Sequence, residues 1–97
     1  MPTLSKTYPV TIHGEYAEEG ADAYHSIVLL ELGTDRCLAK MWGEPPSHGT
    51  AVDVWIGALG PLKAQVDKSV SDQLTLEFHL TIDLAVVNHF AGLLKHR

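Results

Sequence analysis

The feature that most constrains this chain is a series of short segments in which apolar and polar residues alternate, each ended by a glycine- or proline-containing break. Alternation with a period of two places every second side chain on the same face of a β-strand. Leu74–Thr81 shows the pattern most cleanly, and Val10–His13, Cys37–Trp42, Val52–Ile56 and Leu62–Val66 share it. One further segment, Ser26–Leu32, is instead dense in isoleucine, valine and leucine and is expected to be a strand buried on both faces. Six strands at this spacing predict a mainly β fold, namely a closed or nearly closed six-stranded antiparallel β-barrel.

The breaks between these segments define the expected turns. Gly14 and the acidic stretch Glu15–Asp22 that follows it predict a solvated hairpin loop. Gly60 with Pro61, and the stretch Lys68–Asp72, predict two further turns, because glycine reaches unusual backbone angles and proline lacks the N–H that a ladder needs. Each strand is therefore expected to end where such a break begins.

After the sixth segment the period changes to that of an α-helix. Apolar residues recur on one helical face of Asp83–Lys95, and either Thr81 or Asp83 can cap its N-terminus. A chain of 97 residues has room for one domain. We therefore expect a single domain over residues 1–97, with a barrel over about 8–81 and a C-terminal α-helix over about 83–95.

Charge and composition narrow the class of partner. Twelve acidic and seven basic residues give a net charge of −5, and the basic residues are scattered rather than clustered. A nucleic acid polymer is therefore not an expected partner. The chain contains neither an apolar run of about 20 residues, which a membrane-spanning helix needs, nor a recognisable signal peptide. With one cysteine and no disulfide framework, the expected compartment is the cytoplasm.

No group of residues in the sequence has the pattern of a catalytic or metal site. A nucleophile elbow is absent. Cys37 follows Arg36, a neighbour that favours a thiolate, but a half-buried strand cysteine is the stronger expectation. Asp22 and His25 lie close together without further ligands at a repeated spacing, and Gly57–Leu62 lacks the lysine of a phosphate-binding loop. We expect no enzyme activity, no cofactor and no metal.

The order of these features resembles that of the PilZ domain family of bacteria. The stretch Gly49–Val66 is similar to the family's glycine, V-x-V strand, short turn and following strand. Leu74–Phe78 resembles the penultimate strand, with Leu76 and Phe78 at core positions, and Cys37–Ala39 fits the strand after the family's glycine turn. The resemblance covers residues from about 8 to 95. It implies a PilZ-like barrel with a terminal helix.

The two motifs through which this family usually binds cyclic di-GMP are missing. The first, Arg-x-x-x-Arg, precedes the first strand, but the segment before Val10 contains only Lys6 as a basic residue. The second, Asp/Asn-x-Ser-x-x-Gly, aligns with Leu30, Leu32 and Asp35, which offer two apolar side chains and a carboxylate. Guanidinium groups clamp phosphates, and small polar side chains bind base edges. The resemblance therefore implies a divergent member with a degenerate nucleotide site.

Three functions from different classes are compatible with this sequence. We expect a non-catalytic interaction module that has lost cyclic di-GMP binding and acts by binding a protein partner. The resemblance implies a partner in cyclic di-GMP signalling or in pilus and motility assemblies. The alternative is a receptor for cyclic di-GMP or another nucleotide with a non-standard site, whose only candidate clamp is Arg36, Lys40 and Arg97. A small enzyme with a histidine–carboxylate site has only the number of histidines in its favour.

The residues expected to contact a partner are the two tryptophans and the apolar face of the helix. Trp55 alternates out of phase with its apolar neighbours, so it is expected to face away from the barrel core. It then packs under the helix or contributes to an exposed patch, and Trp42 is the second aromatic anchor. Val87, Phe90 and Leu94 are the candidates on the helix. A homo-oligomer that pairs through an open barrel edge or through this helix is also expected.

Overall fold

Six antiparallel strands close into a barrel in the computed structural model, which describes the backbone of residues 6–95 and the side chains of residues 6–92. The elements are β1 (Thr7–Glu18), β2 (His25–Gly33), β3 (Arg36–Met41), β4 (Ala51–Ile56), β5 (Leu59–Val70), β6 (Gln73–Phe78) and the helix α1 (Leu84–Lys95). Their order around the barrel is β1-β2-β3-β6-β5-β4, and β4 pairs with β1 to close it. The predicted fold class is therefore confirmed.

One face of each strand fills the barrel interior. The strands β4 and β6 show the alternation most clearly, and their inward side chains are Val52, Val54, Ile56, Leu74, Leu76 and Phe78. The helix α1 packs against β1 and β2, where Val87 and Ala91 complete the core. The period-two pattern of the sequence therefore corresponds to an inside and an outside of the barrel.

The helix begins at the cap that Asp83 provides. The backbone N–H of Ala85 donates a hydrogen bond to Oδ1 of Asp83 at 2.9 Å, and the N–H of Val86 donates to the Asp83 carbonyl oxygen. Of the two predicted caps, Asp83 is the one that the helix uses. No helix in the described part of the chain is long and apolar enough to cross a membrane.

The first strand is longer than the sequence pattern predicts. β1 continues through Gly14 to Glu18, so the first half of the acidic stretch is strand rather than a solvated loop. Tyr16 and Ala17 are only 1% and 4% exposed, and burial of these two side chains favours extension of the strand over a loop. The glycine at position 14 permits a close backbone approach rather than a turn.

The fifth strand is also longer, because it includes the predicted break at Gly60 and Pro61 and the first part of Lys68–Asp72, whose last two residues form the predicted turn. β5 runs through Gly60 and Pro61 and continues to Val70. The register between β4 and β5 shifts here, so that Val54 pairs with Leu62 while Ile56 pairs with Leu59. Such an irregularity tolerates a proline, which cannot donate to a regular ladder.

Closure of the barrel limits one of the expected routes to an oligomer. Each of the six described strands pairs with a neighbour on both sides. No described strand is therefore an open edge along its whole length, although Thr7–His13 of β1 pairs with β2 and not with β4. Association through a barrel edge or through the helix stays a prediction.

Two glycine substitutions test the close approach of β1 to β4. A Cβ at Gly14 would overlap the carbonyl oxygen of Trp55, whereas a Cβ at Gly92 in the helix would meet no atom within 4 Å. We expect Gly14→Ala to lower the free energy of unfolding by about 2 kcal/mol or more. We expect Gly92→Ala to raise it by up to about 1 kcal/mol. Urea denaturation followed by circular dichroism measures both, and equal stability of the two variants would contradict the close approach.

Candidate functional site

The described residues of the predicted cationic clamp lie on the outer face of β3. Arg36 and Lys40 are four residues apart, about 13 Å along a strand, and Arg97 lies outside the described residues. The Nε atom of Arg36 is 3.7 Å from Oδ1 of Asp35. The Nζ atom of Lys40 is 3.8 Å from Oδ2 of Asp72. Each of these two cations is therefore already paired with a carboxylate of the same chain.

A cleft of about 310 Å³ opens on this outer face. Its charged lining residues are Arg36, Lys68, Glu31 and Asp67. Two bases and two acids leave the cleft without a surplus of positive charge. Lys68 was not among the predicted residues, because its place near β3 depends on the pairing of β5 with β6 and of β6 with β3.

Of the three positions that align with the second nucleotide motif, two carry apolar side chains and one carries a carboxylate. Leu32 is fully buried in the barrel, and Leu30 is half-buried. Asp35 lies in the connection from β2 to β3 and pairs with Arg36. These three side chains supply no hydrogen-bond donor for a phosphate, and their one acceptor, the Asp35 carboxylate, is already paired with Arg36.

The two tryptophans lie in different surroundings on the barrel surface. The side chain of Trp42 is 57% exposed, and the Nζ atom of Lys40 lies 5.8 Å from its ring centroid. Trp55 is half-buried on the outer face of β4, and its ring packs against Tyr24 with centroids 5.2 Å apart. Tyr24 was missed because only the folded chain brings this connecting segment over β4. The one sequence feature that could have identified Tyr24 is that it is an aromatic residue in a polar stretch.

The helix residues divide between core and surface. Val87 is fully buried, so its selection as a partner contact was wrong: it lies on the helix face that packs on the barrel. Phe90 is half-buried, and the side chain of Leu94 lies outside the described residues. A mainly apolar groove of about 600 Å³ separates the helix from the β4–β5 turn, and its lining residues are Ala58, Leu59, Ala85, Val86, His89 and Phe90.

Cys37 lies inside the barrel, and its thiol is not activated as a nucleophile. It is 1% exposed, and burial raises the pKa of its thiol from 9.0 to about 12. The neighbouring Arg36 does not activate it, because successive strand residues point to opposite faces. Within the described residues, no three histidine, cysteine or acidic side chains come together as a metal site would require.

The buried thiol predicts a specific loss of stability at high pH. Above pH 9 the unfolded chain releases the Cys37 proton while the folded chain retains it, so the folded state loses stability as the pH rises. Between pH 8 and pH 10 the wild type is expected to lose about 1.4 kcal/mol more than Cys37→Ala. Burial also raises the pKa of Tyr16, and the hydrogen bond to Asp53 raises the pKa of Lys63. The wild type and Cys37→Ala share these two groups, so they do not contribute to the difference. Equal pH dependence in urea titrations would contradict the prediction.

Comparison with known proteins identifies the fold. A crystal structure of the PilZ domain of CeSA from a cellulose synthesizing bacterium matches with a TM-score of 0.69 and 21% sequence identity. The match covers 95% of this chain and 100% of that domain. No family model matches the sequence, and no curated protein matches it. The chain therefore has a PilZ-like fold.

Proposed function

We propose that this chain is a non-catalytic, cytoplasmic interaction module that does not bind cyclic di-GMP and acts by binding a protein partner. The observation that carries the proposal is the charge balance on the outer face of β3. Arg36 and Lys40 are paired with carboxylates, and the cleft between the strands contains as many acids as bases. A ligand with two phosphates needs a surplus of cations, and the described residues that line this cleft provide none.

The absence of surplus charge matters more than the ion pairs themselves. Each pair is exposed or partly exposed to solvent, so breaking it costs about 1 kcal/mol or less. A phosphate could displace one carboxylate at that cost. The two acids of the cleft and the net charge of −5 would still repel a dianion.

Exposed aromatic and apolar side chains support a protein as the partner. Tyr24 and Trp42 are 60% and 57% exposed, and these residue types dominate the binding energy of protein interfaces. The groove between the helix and the β4–β5 turn, beside Phe90, adds a second, mainly apolar surface. The PilZ-like fold suggests that the partner belongs to a cyclic di-GMP signalling complex or to a pilus or motility assembly.

One observation favours the alternative, a nucleotide receptor with a non-standard site. Arg36 and Lys68 line the same cleft, so two cations face one opening. Lys40 belongs to a different part of the surface, near Trp42 and Asp72. Any nucleotide bound here would therefore depend on Arg36 and Lys68.

Calorimetric titration with cyclic di-GMP separates the two functions. We expect no saturable heat up to about 100 μM ligand, because the cleft lacks the cation surplus that would give about 8 kcal/mol of binding free energy at micromolar affinity. The double variant Arg36→Ala/Lys68→Ala is the matched control and should give the same baseline. Saturable binding that this variant abolishes would establish the alternative and contradict the proposed function.

Site-specific photocrosslinking tests the partner itself. A photoreactive phenylalanine analogue at Trp42 is expected to give a discrete covalent adduct in cells of the source organism, because an exposed interface aromatic lies against its partner. The same analogue at Thr11, an exposed strand residue of β1, is the control. If analogues at Trp42, Trp55 and Phe90 all give no adduct, the partner-binding function is contradicted.

A further inference from the structure

One surface of the barrel brings two aromatic rings and a carboxylate together, and we call it the aromatic–carboxylate patch (Glu15, Tyr24 and Trp55). Glu15 of β1 lies directly opposite Trp55 of β4, so the two side chains share the outer face. The ring of Tyr24 reaches the same place and is tilted by 46° against the Trp55 ring. Glu15 and Trp55 line a shallow depression of about 300 Å³ together with His13 and Ser26.

The carboxylate of this patch lacks a cation. Asp53, on the same outer face, is neutralised by Lys63 at 2.8 Å, and Lys63 also lies 3.6 Å from Glu19. Within residues 6–92, the side chain of Glu15 makes no ion pair and no hydrogen bond. The patch therefore combines the exposed ring of Tyr24 and the half-buried ring of Trp55 with one negative charge that has no ion-pair partner among the described residues.

These groups match the chemistry of a guanidinium ion. Aromatic faces attract cations, and the planar guanidinium stacks on a ring while it donates paired hydrogen bonds to a carboxylate. We propose that the aromatic–carboxylate patch binds an arginine side chain in a basic segment of the partner protein, an inference that rests on the proposed partner-binding function. The net charge of −5 assists the approach of such a segment.

The other exposed tryptophan provides an internal comparison. The ammonium group of Lys40 already lies over the Trp42 ring, and Lys40 is paired with Asp72. The position that an incoming cation would take at Trp42 is thus occupied by the chain itself. A specific arginine contact should therefore distinguish Trp55 from Trp42.

Nuclear magnetic resonance titration of the ¹⁵N-labelled protein tests the proposal with a capped tetra-arginine peptide. The indole N–H signal of Trp55 is expected to shift saturably, while that of Trp42 shifts little. Capped tetralysine, which has the same charge, should bind at least about threefold more weakly, because an ammonium neither stacks nor forms paired bonds. Glu15→Gln should weaken tetra-arginine binding about fivefold, and Tyr24→Ala should also weaken it. Glu44→Gln, an exposed acid in the β3–β4 connection, is the matched control and should leave binding unchanged.

Four results would overturn the proposal, provided that each variant retains the wild-type urea midpoint. They are an unshifted Trp55 indole, equal binding of tetralysine, equal weakening by Glu15→Gln and Glu44→Gln, and spectra that change with protein concentration alone. The last result would assign the patch to a second copy of the chain. If the peptide does not bind and calorimetry also detects no cyclic di-GMP binding, only this inference is contradicted. If cyclic di-GMP binds saturably, the proposed function itself is contradicted.

Discussion

The pairing of β1 with both β2 and β4 is the constraint on which the rest of the molecule depends. β1 has 12 residues, and it is long enough to pair with β2 on one side and with β4 on the other. It approaches β4 so closely that only a glycine fits at position 14, beside the carbonyl oxygen of Trp55. This contact closes the barrel, so that each described strand has a neighbour on both sides over at least part of its length. It also places Glu15 opposite Trp55, so the same pairing that builds the core builds the aromatic–carboxylate patch.

The distribution of charge separates two outer faces of the barrel. On the β3 side the cations face carboxylates, and the cleft has no net excess of either sign. On the β1–β4 side, Asp53 is neutralised but Glu15 is not. A phosphate ligand requires a surplus of positive charge on the protein, whereas a guanidinium ligand requires a surplus of negative charge. The arrangement therefore disfavours an anionic nucleotide on one face and favours a basic side chain on the other.

The regular elements could be predicted because burial and periodicity are local properties of a sequence. The alternation in Leu74–Thr81 located β6, although the strand ends at Phe78 and Leu80 is exposed, and the change of period after Ile82 located α1. The limits of β1 and β5 could not be predicted in this way. Gly14 and Pro61 carry the same signal as turn residues, yet one permits a close backbone approach and the other lies at a register shift.

The sequence by itself determined the fold class, the outward direction of Trp55 and the scatter of the basic residues along the chain, because each depends on residue type and spacing in the sequence. Only the tertiary structure decided which side chains from different strands meet. It brought Lys68 to the cleft beside Arg36, buried Val87, and set Tyr24 against Trp55. Cross-strand register and helix docking govern those contacts, and neither has a periodic signal in the chain.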